Sequence, residues 1–139
     1  MLYIYNMLLY IIIQMGFCVL EWSKLRMFQL WAVLKDKYKH NVRLLYTDTD
    51  SFIFQVFVED FYRDINYEPE LRDWFDFSNV PANHPSGFHS RNAEKAGVVG
   101  FFKEENSWDP VTEFVGLRPK MYSFKVIFNI SYALFILHI

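Results

Sequence analysis

The string Leu44-Leu45-Tyr46-Thr47-Asp48-Thr49-Asp50-Ser51-Phe52 places two carboxylates one residue apart between two apolar runs. Side chains alternate along an extended backbone, so Asp48 and Asp50 can share a side while Thr49 points away. Carboxylates held that close repel each other, and both stay ionised when a cation sits in front of them. Mg²⁺ suits such a position, because it takes one or two carboxylates and completes its shell with water and phosphate oxygens. Two such ions about 3.5–4 Å apart can clamp the attacking and leaving oxygens of an in-line phosphoryl transfer. An Asp-rich tetrapeptide can also be an ordinary polar hairpin tip, since Asp favours turns. Two observations weigh against that plainer reading. An Asp-Thr-Asp-Ser string arises by chance in only about one chain of this length in a thousand, and apolar strands run into it from both sides, the rigid support that reactive groups need.

The elements that must hold this string can be read from the pattern around it. Residues 42–46 and 51–58 are β-prone, so the simplest arrangement is an antiparallel hairpin with Thr47-Asp48-Thr49-Asp50 at its tip. Both runs are almost continuously apolar, which predicts burial on both faces. Upstream, residues 16–38 lack proline and carry Phe17, Leu20, Met27, Phe28, Trp31, Leu34 and Tyr38 at near-helical spacing, with Glu21, Lys24, Lys35 and Lys39 on the remaining surface. That is a long amphipathic helix, joined to the hairpin by Lys39-His40-Asn41. Downstream, the sequence predicts a short helix over 59–66, one or two helical turns over 69–77 and a loop over 78–93. A second pair of strands follows over 97–105 and 112–126, with a turn at 106–110. The fold class is therefore α+β, a long helix packed on an antiparallel sheet.

The 139 residues suffice for one small domain. All 30 charged residues, 14 basic and 16 acidic, fall between Glu21 and Lys125, and both ends are apolar. Residues 22–43 hold six basic residues and one acidic, whereas residues 48–76 hold nine acidic and two basic. A basic stretch beside an acidic one is compatible with a site for both phosphate and metal. Abundant Phe, Tyr, Leu and Ile argue against disorder. The lone Cys18 excludes an internal disulfide and reads as a core residue. His40, His84, His89 and His138 show no metal-ligand spacing, and no Gly-rich phosphate loop is present.

The hairpin string resembles motif C of the palm of B-family DNA polymerases. Downstream, Phe114-Val115-Gly116-Leu117-Arg118-Pro119-Lys120-Met121-Tyr122-Ser123 resembles the Lys-x-Tyr segment of that family, in a spelling closest to the protein-primed enzymes of Polinton (Maverick) elements and related viruses. Leu20-Glu21-Trp22-Ser23-Lys24, Asp76-Phe77-Ser78-Asn79 and His84-Pro85 are similar to the same group, so the resemblance runs over residues 16–124 in the family's order. It implies that Asp48 and Asp50 are catalytic metal-site carboxylates, Asp50 the direct ligand and Asp48 in support. Tyr46 and Thr49 would support the nucleotide site. Lys120 and Tyr122 would hold the primer terminus, and Arg118 would add a contact to phosphate. Lys is a point cation suited to backbone phosphate, and Tyr offers a flat ring with a polar tip. On one continuous strand, positions 118, 120 and 122 would face the same way. The implied cofactor is Mg²⁺ in a two-metal site, the implied partners are a DNA primer-template and a dNTP, and the implied setting is nuclear or a viral replication site.

The family also needs an upstream metal-binding Asp and an upstream helical Lys for the incoming triphosphate. Nothing before Gly16 resembles either, so the expectation is a partial palm over 16–125 that does not polymerise alone. Residues 1–15 and 126–139 read as apolar extensions. Two alternatives remain. One is a decayed, non-enzymatic remnant that binds nucleic acid weakly through Arg118, Lys120 and the basic helix. The other is a small membrane protein anchored by residues 1–20, although Asn6 and Gln14 interrupt that run and no basic residue precedes it, so a membrane partner is not the first expectation.

Overall fold

The computed structural model describes residues 2–78, 80, 95–104, 111–126 and 133–138. Helix α1 spans Leu2–Tyr38. Lys35 and Lys37 in its last turn complement the helix dipole. Lys39, with φ 50°, turns the chain out of the helix into a single 3-10 turn over Lys39–Asn41. The Lys35 ammonium steadies this exit by donating to the carbonyls of Lys39 and Val42, each at 3.3 Å. Strands β1 (Val42–Asp48) and β2 (Ser51–Val56) then form the expected hairpin.

Helix α2 (Phe61–Tyr67) begins where the Asp60 side chain accepts a 3.0 Å hydrogen bond from the Arg63 amide, a standard N-cap. Helix α3 (Pro69–Arg72) carries Pro69 in its first turn, where the missing N–H costs nothing. Strand β3 (Phe75–Asp76) follows, where one or two more helical turns were expected to continue to residue 77. The Asp76 carboxylate is buried and accepts the Ser78 amide at 2.8 Å, closing a local turn. Of the loop expected over 78–93, only residues 78 and 80 are described; the turn expected at 106–110 lies outside the described residues.

Strands β4 (Phe102–Glu104), β5 (Val111–Arg118), β6 (Met121–Val126) and β7 (Ala133–His138) complete a seven-stranded sheet. Its order is β1-β2-β7-β4-β3, with β5 paired to β6 and, at Val111, to β7. All pairs are antiparallel except β3 with β4. Three expectations need correction. The second strand pair is not 97–105 with 112–126, because β4 pairs with β3 and β7. Residues 112–126 are not one strand: they form a hairpin, β5–β6, that turns at Pro119-Lys120. The composition break at Val126 is not a break in the sheet, since β7 hydrogen-bonds along β2 from Ser51 to Val56.

One core lies between the C-terminal third of α1 and the sheet. Met27, Leu30, Leu34 and Tyr38 project into it from α1, meeting Val42, Phe54, Val56, Phe61, Phe75 and Phe102. The buried stripe thus runs through Leu30, not through Phe17, Leu20 and Phe28, which are exposed. Helical spacing alone could not settle this, because α1 is apolar on every face and the sheet decides which stripe it covers. A second, smaller cluster on the opposite face joins Ile53 and Val111 to Tyr46 and Phe114. Strand β2 is therefore buried on both faces, through Ile53 on one and Phe54 and Val56 on the other, whereas β1 is exposed from Arg43 to Leu45 because it is the edge strand; the two-sided burial expected of both runs holds for β2 alone.

Leu34 is fully buried and Phe28 is 69 % exposed. Leu34→Ala should cost about 2–5 kcal/mol in urea denaturation, whereas Phe28→Ala should stay within about 0.5 kcal/mol. A second expectation concerns alkaline pH. Burial first, then the neighbouring Asp64 carboxylate, pushes the Tyr38 phenol well above its ordinary value, and its hydroxyl donates to Asp64 Oδ2 at 3.2 Å. Burial likewise raises Tyr62. Both phenols stay protonated in the native state while the unfolded chain loses these protons near pH 10. Stability should be intact below about pH 10 and fall as pH rises beyond it. Urea midpoints measured at pH 8 and pH 10.5 should show the drop, and Tyr38→Phe should make it smaller.

Candidate functional site

The β1–β2 ladder contains one irregularity, and it decides where the site residues point. Leu44 pairs with Phe54 and Tyr46 pairs with Ile53, so Leu45 is an extra residue in β1. Val42 and Leu44 lie on the α1 side. Without the bulge Tyr46 and Asp48 would follow them there. With it, Tyr46 crosses to the opposite face, joins Ile53, and meets the β5–β6 hairpin. Asp48, paired with Ser51, falls by the same pleat on the Tyr46 face.

Tyr46 is the meeting point of the two motifs. Its ring centroid lies 5.0 Å from that of Tyr122 and 6.0 Å from that of Phe114, with tilted planes. Tyr122 and Phe114 are themselves 5.9 Å apart, so three rings form a closed triangle of the geometry aromatic pairs prefer. Gly116, opposite Tyr122 in the β5–β6 ladder, lies against the edge of this triangle. A Cβ there would stand 3.1 Å from Cε1 of Phe114 and 3.7 Å from Cδ2 of Tyr46, so glycine permits the close packing. Beyond the rings, the Tyr46 phenol accepts a 2.6 Å hydrogen bond from the Lys120 amide. Lys120 has φ 61° and follows Pro119, which matches the φ signs of a type II turn with a non-glycine third residue.

This geometry changes the expectation for the Lys-x-Tyr segment. Arg118 ends β5, Lys120 sits in the turn and Tyr122 lies in β6, so the three do not alternate along one strand. Tyr122 packs on Tyr46, while Arg118 and Lys120 are exposed at the hairpin tip. Two cationic side chains thus crown a turn that Tyr46 fastens to β1.

At the β1–β2 tip, Thr49 and Asp50 form the two-residue turn. Thr49 has φ 52°, a left-handed conformation that a β-branched residue adopts only at a cost of about 1–3 kcal/mol. Its hydroxyl donates to Asp48 Oδ1 at 3.1 Å, and the Ser51 hydroxyl donates to the Asp48 carbonyl at 3.0 Å. Because turn residues do not alternate, the tip does not stack the two carboxylates on one face as the extended-strand argument expects. Asp50 instead lines an open cleft of about 470 Å³ on the α1 side, with Ser23, Arg26, Thr49 and Gly100. Arg26 is fixed there by a 2.9 Å hydrogen bond from Nε to the Gly100 carbonyl, and its guanidinium lies 3.8 Å from the Trp74 ring centre. Partial burial lowers the Arg26 pKa from its ordinary value, yet the group stays charged at neutral pH. Ser23 Oγ is buried without a hydrogen-bond partner among the described residues.

Asp48 and Asp50 are both half-buried but lie on opposite faces of the hairpin, so they offer a hard cation two separate oxygen donors and not a shared cradle. Among the described residues no cluster of three or more His, Cys, Asp or Glu forms a self-sufficient metal cage. A Mg²⁺ ion here would take Asp50 or Asp48 singly and draw its other ligands from water or phosphate. Sequence reasoning missed Arg26, Ser23 and Gly116. Only Gly116 left a signal, an isolated glycine inside a strand-like run, which marks close approach. No family model, curated protein or solved structure matches the chain.

Tyr46→Phe removes the phenol that holds the Lys120 amide and keeps the ring. Exchange of that amide with solvent should accelerate about 3–10-fold, the size of one neutral hydrogen bond. Amides of the β1–β2 ladder should keep their protection, as measured by hydrogen-exchange NMR.

Proposed function

We propose that the chain is the part of a B-family, protein-primed DNA polymerase palm that carries motif C and the Lys-x-Tyr segment. The parent reaction is template-directed attack of a primer 3'-hydroxyl on a dNTP, with pyrophosphate leaving. One observation supports this reading above the others. The two segments that resemble the family lie 74 positions apart, and they meet through the 2.6 Å bond between the Tyr46 phenol and the Lys120 amide. A chance likeness in two unrelated segments gives no reason for them to share an aromatic cluster.

On this reading Asp50 holds the ion directly and Asp48 supports it, and bound Mg²⁺ supplies neutralisation of phosphate charge. The side chains of the second hairpin handle DNA. Lys120 and Arg118 offer cations to primer-backbone phosphates, which position the strand without reading its sequence. Tyr122 gives the primer-terminal sugar a flat surface and a hydroxyl. Tyr46 acts on DNA only through Lys120: it fixes the turn backbone, so the ammonium starts from a set place. Thr49 holds the Asp48 carboxylate. Such a site works by positioning and by electrostatics. Both require the further Asp and the triphosphate-binding Lys of an upstream palm segment, so these 139 residues alone should not incorporate nucleotide.

The test joins the chain to an upstream segment carrying a DxxSLYP-like motif and measures Mg²⁺-dependent incorporation on a primed template. Asp50→Asn should lower the rate at least about 100-fold. Lys120→Ala should weaken primer-template binding and reduce the salt dependence by about one phosphate contact. Incorporation unchanged by Asp50→Asn would sink the site assignment. DNA binding with no incorporation in the joined protein would favour the non-enzymatic remnant.

A further inference from the structure

The N-terminal part of α1 takes no part in either cluster. From Ile4 to Trp22 every residue is exposed, and none of the large apolar side chains from Ile4 to Leu20 is less than 47 % exposed. The first buried residue is Met27. At 1.5 Å per residue, the first 20 residues reach roughly 30 Å, the thickness of a bilayer's hydrocarbon core. Helix α1 passes the length and composition test for a membrane span, and no part of its apolar window is covered by the rest of the chain.

Which occupant covers it follows from where the apolar groups lie. Met7, Leu8, Leu9, Tyr10, Ile11 and Ile12 are all exposed and, at about 100° per residue, ring the whole helix axis. A second copy or a protein groove would cover one stripe and leave the others in water. Only a medium that surrounds the helix satisfies all of them. Charge points the same way. No residue before Glu21 is charged, while residues 22–43 carry six basic residues against one acidic, a complement to anionic lipid headgroups. Trp22 is 72 % exposed at the junction, where an indole ring suits the interface. Asn6 and Gln14 interrupt the run, but both are uncharged. The six basic residues that follow the span set the orientation, because basic flanks stay on the cytoplasmic side.

We propose that the N-terminal half of α1 is a single membrane span surrounded by lipid, and that it tethers the sheet and its two hairpin tips to the cytoplasmic surface of an anionic bilayer. This inference does not rest on the polymerase reading, and either can fail without the other.

The full chain would be synthesised cell-free with phosphatidylcholine–phosphatidylglycerol vesicles, then floated and washed with sodium carbonate. The expected result is a chain that floats, resists carbonate, and leaves its charged block open to protease added outside. The paired substitutions Ile11→Lys and Ile12→Lys lie outside both clusters and should leave the domain folded by circular dichroism. They should cut carbonate-resistant recovery at least about 10-fold. Release of the unaltered chain by carbonate would overturn the span, as would a vesicle-free dimer in sedimentation. Recovery unchanged by the two lysines would also overturn it.

Discussion

Leu45 is the residue on which the arrangement turns, because it adds one position to β1 without adding one to β2. A strand has two faces and a period of two, so one extra residue exchanges them for everything that follows. Before the bulge β1 serves α1, through Val42 and Leu44; after it, Tyr46 serves the β5–β6 hairpin. Both faces of the same short strand are used in turn. The aromatic triangle, the Lys120 turn and the placing of Asp48 all inherit that exchange. Remove the extra residue, and the Tyr46 ring would be driven toward the helix, while the second hairpin would lose its anchor.

What could be read in advance follows from the range of the interactions involved. The β1–β2 hairpin was legible because its signals are local: two apolar runs and an acidic turn within 17 residues. The helix start at Pro69 was legible for the same reason, whereas the preceding helix was expected from residue 59 and begins after its Asp60 cap. The turn at Pro119-Lys120 was hidden, because its third position takes φ 61° with a lysine, whereas glycine or asparagine would have marked it. The bulge at Leu45 was hidden too, since Leu44-Leu45 looks like unbroken strand. In α1 the difficulty was an excess of signal. With apolar residues on every face, the stripe that is buried follows from the sheet beneath, and that is a long-range fact.

The acidic tip and the basic tip also differ in what holds them. Thr49 is kept in a costly conformation by a two-residue turn whose flanks are locked in the ladder, and its hydroxyl is spent on Asp48. Lys120 is held through its backbone, which leaves the ammonium unfixed by the same bond. The acidic tip is thus held through backbone and side chain and the basic tip through its backbone alone, which gives the two turns unequal order. Neither hairpin could hold its tip alone, because an isolated two-stranded hairpin is marginal in water. Their shared ring cluster makes each the other's support.

The position of β7 carries a consequence in time. Its partner β2 leaves the ribosome with one edge open, and that edge waits for roughly 80 more residues, on the order of 4–16 seconds at usual synthesis rates. During that interval a row of unsatisfied backbone groups over Ser51–Val56, flanked by apolar side chains, is available to any passing strand. The nascent chain is therefore most vulnerable at the edge next to its acidic tip, and the pace of translation through residues 57–132 sets how long that hazard lasts.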